Sequence, residues 1–241
     1  MTIKEILQIK AHRPWDIPKK PWQFYQEWNK AIFLHWEVEL SDLEKLVPKE
    51  IEIDLFDGKP WVSLVAFTME KIRPRFLPSF PPISNFDEIN IRTYVKMNGK
   101  TGVYFLSMEG GKKLSCAVAK GISELPYRFS KTERTENRYQ SRNAEFNDNL
   151  DLEYTVGKQI QEKTHFDKWL TERYALFQET EKSINQFEIH HVEWPVKEIS
   201  FNSCVIDYPR FKFLIKRKPD KMQYSDGVQV IAWGKHQNKR A

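Results

Sequence analysis

Hydrophobic and polar residues alternate through the first half of the chain. In "FDEINIRTYVK" (86–96), Ile89, Ile91, Thr93, Val95 and then Met97 share one face of an extended strand. Glu88, Asn90, Arg92, Tyr94 and Lys96 share the other, which describes either a pocket wall or a solvated face with a cross-strand ion pair. "FLHWEVEL" (33–40) predicts an earlier strand. In "SDLEKLVPKE" Ser41 stands three residues before Glu44, the capping-box spacing, so a short helix is expected there, closed by Pro48. "IEIDLF" (51–56) and "WVSLVAFTM" (61–69), joined by "DGKP", predict a hairpin. The proline-rich stretch 73–84 cannot pair as a central strand, and "NGKTG" marks a turn before a strand at "VYFLSME" (103–109).

After Gly110 and Gly111 the period lengthens. Leu114, Val118, Ile122 and Leu125, with Ala117 and Gly121 beside them, predict an amphipathic helix packed on a sheet and stopped at Pro126. Short strands are expected across 127–160, and a second helix over 166–178 that buries Phe166, Trp169, Leu170 and Phe177. Strands return in "QFEIHHVEWPVKEISFNSCVID", with a last one at "GVQVIAWGK". Residues 1–22 read as an extended N-terminal arm, since 11–22 hold three prolines and two tryptophans that would pin it. No linker or repeat divides the chain. The expectation is one domain over 1–241, a β-rich α+β fold forming a closed or nearly closed antiparallel β-barrel with a few packed helices.

Composition narrows the function classes. With 241 residues, 16 Phe, 9 Tyr and 8 Trp, the chain can build a large core. A net charge of +5, from 38 basic against 33 acidic residues, is small and dispersed, so neither nucleic acid nor membrane is expected as a partner. The basic cluster "KFLIKRKPDK" (212–221) reads as a solvated strand face. Cys116 and Cys204 lie in apolar runs and read as buried free thiols. There is no C-x-x-C, H-E-x-x-H, Walker or G-x-S-x-G motif, so no metal or cofactor is expected. His190 and His191 are strand neighbours that point apart, leaving room for one of them in a pocket. Without an apolar leader or a run of eighteen apolar residues, a soluble cytoplasmic protein is expected.

Several ordered motifs give the chain a family resemblance. "IFLHWEVELSDLEKLVPKEIEID" resembles the opening of the acetoacetate decarboxylase superfamily, with Asp42, Leu43, Val47, Pro48, Ile51 and Glu52 on its D-x-L-x-x-x-V-P-x-x-[IL]-E pattern. "HRPWDIPKKPW", "FLHW", "FDEINIRTYV", "GVYFLSME", "LPY" and "WLTERY", in that order, look like the uncharacterised YqjF-like branch of that superfamily. The resemblance implies a cone-shaped barrel with an interior site. In the decarboxylase a lysine in a G/A-x-P-K-K stretch forms a Schiff base, its pKa depressed by the adjacent lysine.

Carried over residue by residue, the family glutamate falls on Glu88, while the two lysines fall on Tyr127 and Arg128 after "CAVAKGISELP". The family's early arginine falls near Asn29 by ungapped counting. A phenol cannot form an imine with a ketone, and Lys112, Lys113 and Lys120 match no motif position, so Schiff-base chemistry is not expected. The resemblance instead implies a pocket with Glu88, Tyr94 and Tyr127 as candidate catalytic groups. Arg92, Arg128, Asn90, His35 and Tyr104 are candidate ligand-binding residues, with Trp36 a lesser wall candidate. Glu88, beside guanidinium groups, is expected to stay ionised. These parts suit a small anionic carboxylate or keto-acid-like ligand. Three readings stay open: a lyase- or isomerase-type enzyme, a non-catalytic small-molecule binding protein, and a structural or interaction module, with a homo-oligomer compatible with each.

Overall fold

Two fourteen-residue strands, β1 (Phe24–Glu37) and β3 (Trp61–Pro74), lie side by side and are rich in residues that pack on either face of a sheet. Ala31–Trp36 and Trp61–Phe67 are buried throughout, so both faces of this sheet are covered. The computed structural model describes residues 1–239. The remaining strands are β2 (Glu52–Ile53), β4 (Phe86–Met97), β5 (Lys100–Gly110), β6 (Tyr127–Phe129), β7 (Lys131–Arg134), β8 (Arg138–Asn143), β9 (Asp148–Gln159), β10 (Ala175–Glu179), β11 (Ser183–His190), β12 (Val196–Asp207), β13 (Lys221–Ala232) and β14 (His236–Lys239). The helices are α1 (Ile3–Gln8), α2 (Leu40–Leu43), α3 (Pro81–Ser84), α4 (Lys113–Ser123) and α5 (His165–Thr171). Among the described residues no helix is long and apolar enough to cross a membrane.

The sheet closes on itself. Strands run β11–β10–β5–β4–β3–β1–β13, and β13 returns to β11 through Ile189 opposite Ala232 and His190 opposite Ile231. Gly227 of β13 sits at φ +135° against β1, where a Cβ would lie 2.4 Å from the Trp28 carbonyl, so only glycine fits. Most neighbours are antiparallel, as the alternation predicts; β10 and β6 both join β5 in parallel, because the chain reaches them by crossovers rather than hairpins.

Strands β12, β9, β8 and β7 continue from β13 and wrap the outside. The outer face of the ring (Ile32, Leu34, Trp36, Leu64, Ile91) packs against Tyr139, Leu152 and Tyr154 of this second layer. The inner face carries Phe33, Val65, Phe67, Met108 and Val230, with Trp194. A strand covered on both sides loses the polar-out signal of a half-buried one, which is why hydrophobic alternation could not decide what the polar face of β4 meets.

Several sequence expectations are corrected. The hairpin at 51–69 does not form: β2 pairs Glu52 and Ile53 with Lys96 and Val95 of β4, and the buried Asp54 carboxylate binds Arg173. Ser41 is inside α2, whose N-cap is Glu39 with no side-chain cap, so the capping box there is not used. The extended arm opens instead with helix α1, capped reciprocally by Thr2 and Glu5. Helix α5 ends at Thr171, and Phe177 belongs to β10. Residues 212–220 form no strand; Leu214 and Ile215 are core residues after a 3-10 turn at Pro209–Phe211. Cys204 is exposed on the outer strand β12, whereas Cys116 is buried.

Helix α4 forms where expected but is turned over. Leu114 and Ile122 are 57% and 56% exposed, and Val118 is also exposed. Ser115 and Cys116 face inward, held by bonds from Ser115 Oγ to the Ile83 carbonyl and from Cys116 Sγ to the Gly110 and Arg128 carbonyls. Gly110 makes room for this: a Cβ there would lie 2.7 Å from Cys116 Sγ.

Candidate functional site

The closed ring encloses a cavity of about 1160 Å³, bordered on one side by α4 and the loop that contains α3. Strand β4 sends Glu88, Asn90 and Arg92 into it. Their cross-strand partners are Phe67, Val65 and Ser63 on β3 and Gly110, Met108 and Phe105 on β5. Opposite Ile91 and Arg92 the register slips by one residue, so Leu106 is extra in β5 and both Met108 and Phe105 reach the cavity. Tyr127, the first residue of β6, enters from beyond α4, because β6 adds to β5 with Tyr127 opposite Met108. Trp28, Phe33 and Trp194 complete one wall, with Phe33 edge-on to Trp194 at 5.1 Å and Trp28 stacked on Trp194 at 6.2 Å.

At the centre of the polar group the Tyr127 hydroxyl donates to Glu88 Oε2 at 2.6 Å, and Asn90 Nδ2 donates to Glu88 Oε1 at 3.3 Å. Glu88 is 2% exposed. Burial pushes its pKa up to about 7, against the opposing pull of Tyr127, Asn90 and the Arg92 charge. The expectation that arginine would keep Glu88 fully ionised is therefore corrected: desolvation outweighs the charge. Tyr127 is held well above the ordinary tyrosine range by burial and by the Glu88 charge, so it stays a proton-bearing donor. Cys116, behind them, has its thiol raised to about 11 by burial and by Glu88, so it carries no thiolate at neutral pH.

Arg92 has no carboxylate within ion-pair distance among the described residues, and its Nε has no hydrogen-bond partner. Its guanidinium stands 6.0 Å from the Phe33 ring centroid. Asn90 Oδ1 is likewise without a partner. An uncompensated buried cation is expensive, so an anion is the natural complement of this site.

The other candidates lie elsewhere. Tyr94 follows Arg92 on the same face, but its hydroxyl bonds Ser63 Oγ (2.6 Å) and the Leu170 carbonyl (3.1 Å), and its ring packs on Trp169 under α5. His35 joins this network through Nδ1 to Ser63 Oγ at 2.6 Å; burial and then the Arg92 charge lower its pKa to about 3, so it is neutral. Tyr104 and Trp36 point to the opposite face, in the outer core, and Tyr104 donates to Glu179. Arg128 alternates away from Tyr127, bonds Ser107, stacks 4.3 Å from the Phe146 centroid and sits 3.9 Å from Asp148. Asn29, where counting put the family arginine, bonds Glu70 at a bulge of β1.

One buried arginine of the cavity was missed, and of the two neighbouring histidines one does line it. Arg173 sends Nη1 to Asp54 at 2.6 Å while Nη2 has no partner. It lies in "WLTERY", within the stretch assigned to a helix, where an arginine reads as solvated; the end of α5 two residues earlier turns it inward. His191 lines the cavity, while His190 donates from Nε2 to the Ile6 carbonyl. His191 donates from Nδ1 to the Val192 carbonyl, and burial lowers its pKa to about 4.

No lysine bonds Glu88 or Tyr127 among the described residues. Lys112, Lys113 and Lys120 are exposed and outside the cavity, while Lys100 and Lys235 at its border pair with Glu188 and Glu124.

The closed ring matches solved structures. Acetoacetate decarboxylase from Legionella pneumophila subsp. pneumophila str. Philadelphia 1 superposes with a TM-score of 0.61 at 12% identity, covering 97% of this chain and 93% of the other. The enduracididine biosynthesis enzyme MppR, complexed with pyruvate, superposes with a TM-score of 0.60 at 11% identity, covering 94% of each chain. At such identities the likeness is one of fold. The uncharacterized protein YqjF of Bacillus subtilis (strain 168) is 33% identical over 199 residues, which are 78% of this chain and 82% of YqjF. Residues 25–229 match the DUF2071 family, an uncharacterized conserved protein. By that match, which covers most of the chain, the chain belongs to this YqjF-like family with an acetoacetate decarboxylase-like fold.

Proposed function

We propose that the cavity binds a small carboxylate of the keto-acid kind and moves a proton on it without forming a Schiff base. The observation that carries this reading is the Tyr127–Glu88 hydrogen bond, 2.6 Å long, in a cavity inside the ring that also holds an arginine with no carboxylate partner. Arg92 anchors the carboxylate of the ligand. Glu88, with a pKa near 7, is divided between its two protonation states at neutral pH, as a general base or acid must be. It takes a proton from the carbon next to the ligand carbonyl; once protonated, Glu88 no longer needs the Tyr127 O–H, which turns to donate to the oxygen on which negative charge collects. The MppR structure with pyruvate lends support from a protein of the same fold. Because tyrosine replaces the amine nucleophile, decarboxylation through an imine is outside this reading.

Exchange of α-protons of pyruvate and acetoacetate in deuterated water, followed by proton NMR, tests it. The protein should speed the exchange and Glu88→Gln should abolish the acceleration. Borohydride with the same acids should leave every lysine at its native mass. Binding that Arg92→Met removes, with no exchange above background, would sink the catalytic step and leave a non-catalytic binding protein.

A further inference from the structure

We infer that the ligand is amphiphilic: a carboxylate head held between Arg92 and Arg173, carrying an extended apolar body that fills the rest of the ring. This deepens the reading above and rests on it. The two buried arginines of the cavity act on each other. Arg173, like Arg92, is buried, lines the cavity and keeps an atom without a partner, Nη2. Both guanidinium groups lie close to Tyr94: Arg173 stands 4.8 Å from its ring centroid, and the phenol favours the Arg92 charge. They repel each other, the Arg92 charge disfavouring that of Arg173. Asp54 offsets one side of Arg173 only. A carboxylate between them would relieve that repulsion and could take up Arg92 Nε and Arg173 Nη2, which have no partner in the fold.

Much of the remaining wall is apolar, with polar side chains such as Gln26, Ser115 and Gln186 set among it. Phe33, Val65, Phe67, Met108, Leu125 and Leu176 lead from the arginines toward Ile83, Ala119 and the inner side of α4. The apolar lining does not stop at the surface: Leu77, Phe80, Val118 and Ile122 border the cavity and are exposed. At about 1160 Å³ the cavity exceeds the roughly 300–1,000 Å³ of pockets that enclose drug-sized molecules. A four-carbon acid on the arginines would leave most of this surface bare. Each further methylene buried on it should tighten binding roughly four-fold.

Calorimetric titration of the full chain with butanoate, hexanoate, octanoate and octan-1-ol separates the possibilities. Octanoate should bind roughly two-hundred-fold tighter than butanoate, and octan-1-ol at least ~10-fold more weakly than octanoate, lacking the charge that the arginines complement. Ala119→Phe and Val118→Trp, which narrow the apolar end, should each weaken octanoate ~10-fold or more and leave butanoate within ~2-fold. Equal affinity for butanoate and octanoate overturns the apolar body and leaves the carboxylate reading intact. Octan-1-ol binding as tightly as octanoate overturns the arginine head site. Failure of every acid to bind overturns both readings together.

Discussion

The phenol of Tyr127 and the carboxylate of Glu88, 39 residues apart in sequence, meet at 2.6 Å because β4 and β6 are added to opposite edges of β5. The hydrogen bond opposes burial, which alone would raise the Glu88 pKa further. Tyr127→Phe should therefore raise it above about 7. A hydrogen bond to a charged group contributes roughly 1.5–3 kcal/mol, so the rise should be about one to two pH units. Carbon NMR titration of carboxyl-labelled glutamate would read it directly. An unchanged or lower midpoint in Tyr127→Phe would mean the phenol does not act on the ionised carboxylate.

Glu88 also makes stability depend on pH. In the unfolded chain it releases its proton near 4.5, but in the fold it keeps the proton until about 7. Between those values the folded state binds more protons, so stability falls as pH rises, by roughly 3 kcal/mol once pH is above 7. Glu88→Gln has no charge to bury. Its melting temperature should match the parent near pH 5 and exceed it by several degrees at pH 8. Buried His35 and His191 act in the other direction: their folded pKa values, about 3 and about 4, lie below the ordinary 6.5, so stability is lost as pH drops through that window. Melting curves from pH 4 to 9 would show both limbs, and a variant whose advantage over the parent does not grow with pH would contradict the assignment to Glu88.

The outward turn of α4 gives a sharp mutational contrast. Leu114 fits a helical core stripe by spacing but is 57% exposed, whereas Leu125, just past the helix end, is buried. Leu114→Ser should change unfolding stability by no more than about 0.5 kcal/mol. Leu125→Ala should cost roughly 2–5 kcal/mol. Urea denaturation of the two variants checks this, and comparable losses would show that Leu114 packs against a surface after all.

Much of the fold was legible in the chain. Strand β4 and the turn into β5 were readable because alternation runs unbroken from Glu88 to Met97 and Gly99 supplies a positive φ. The family motifs put Glu88 and Tyr127 in one pocket, and the structure brings them into contact. Other features depend on partners distant in sequence. The 51–69 hairpin fails because Asp54 binds Arg173, 119 residues on, and no local pattern reports that. Tyr94 and Arg92 share a face, yet α5 covers the first and leaves the second in the cavity, since alternation gives the face but not what lies over it. Helix α4 was misread for a related reason: three apolar residues at helical spacing fix a stripe, not its direction, and here hydrogen bonds of Ser115 and Cys116 choose the inner side. The Thr2–Glu5 capping box was present in "TIKE" and was passed over beside the prolines that follow.

Arg92 separates function from stability most cleanly. Its charge is buried, burial lowers its pKa, and among the described residues no carboxylate pairs with it. Such a group destabilises the fold that holds it, and an apolar residue of similar length should be tolerated or better. Arg92→Met should therefore raise stability by roughly 1–3 kcal/mol. It should also let the His35 pKa rise from about 3, since the Arg92 charge helps to hold it down. The same variant should lose the stabilisation that added carboxylate gives the parent, because the ligand's charge no longer has its complement. Thermal melts with and without pyruvate, on parent and variant, measure both effects at once. A variant that is less stable than the parent in the absence of ligand would show that Arg92 is engaged by the fold rather than held for an anion.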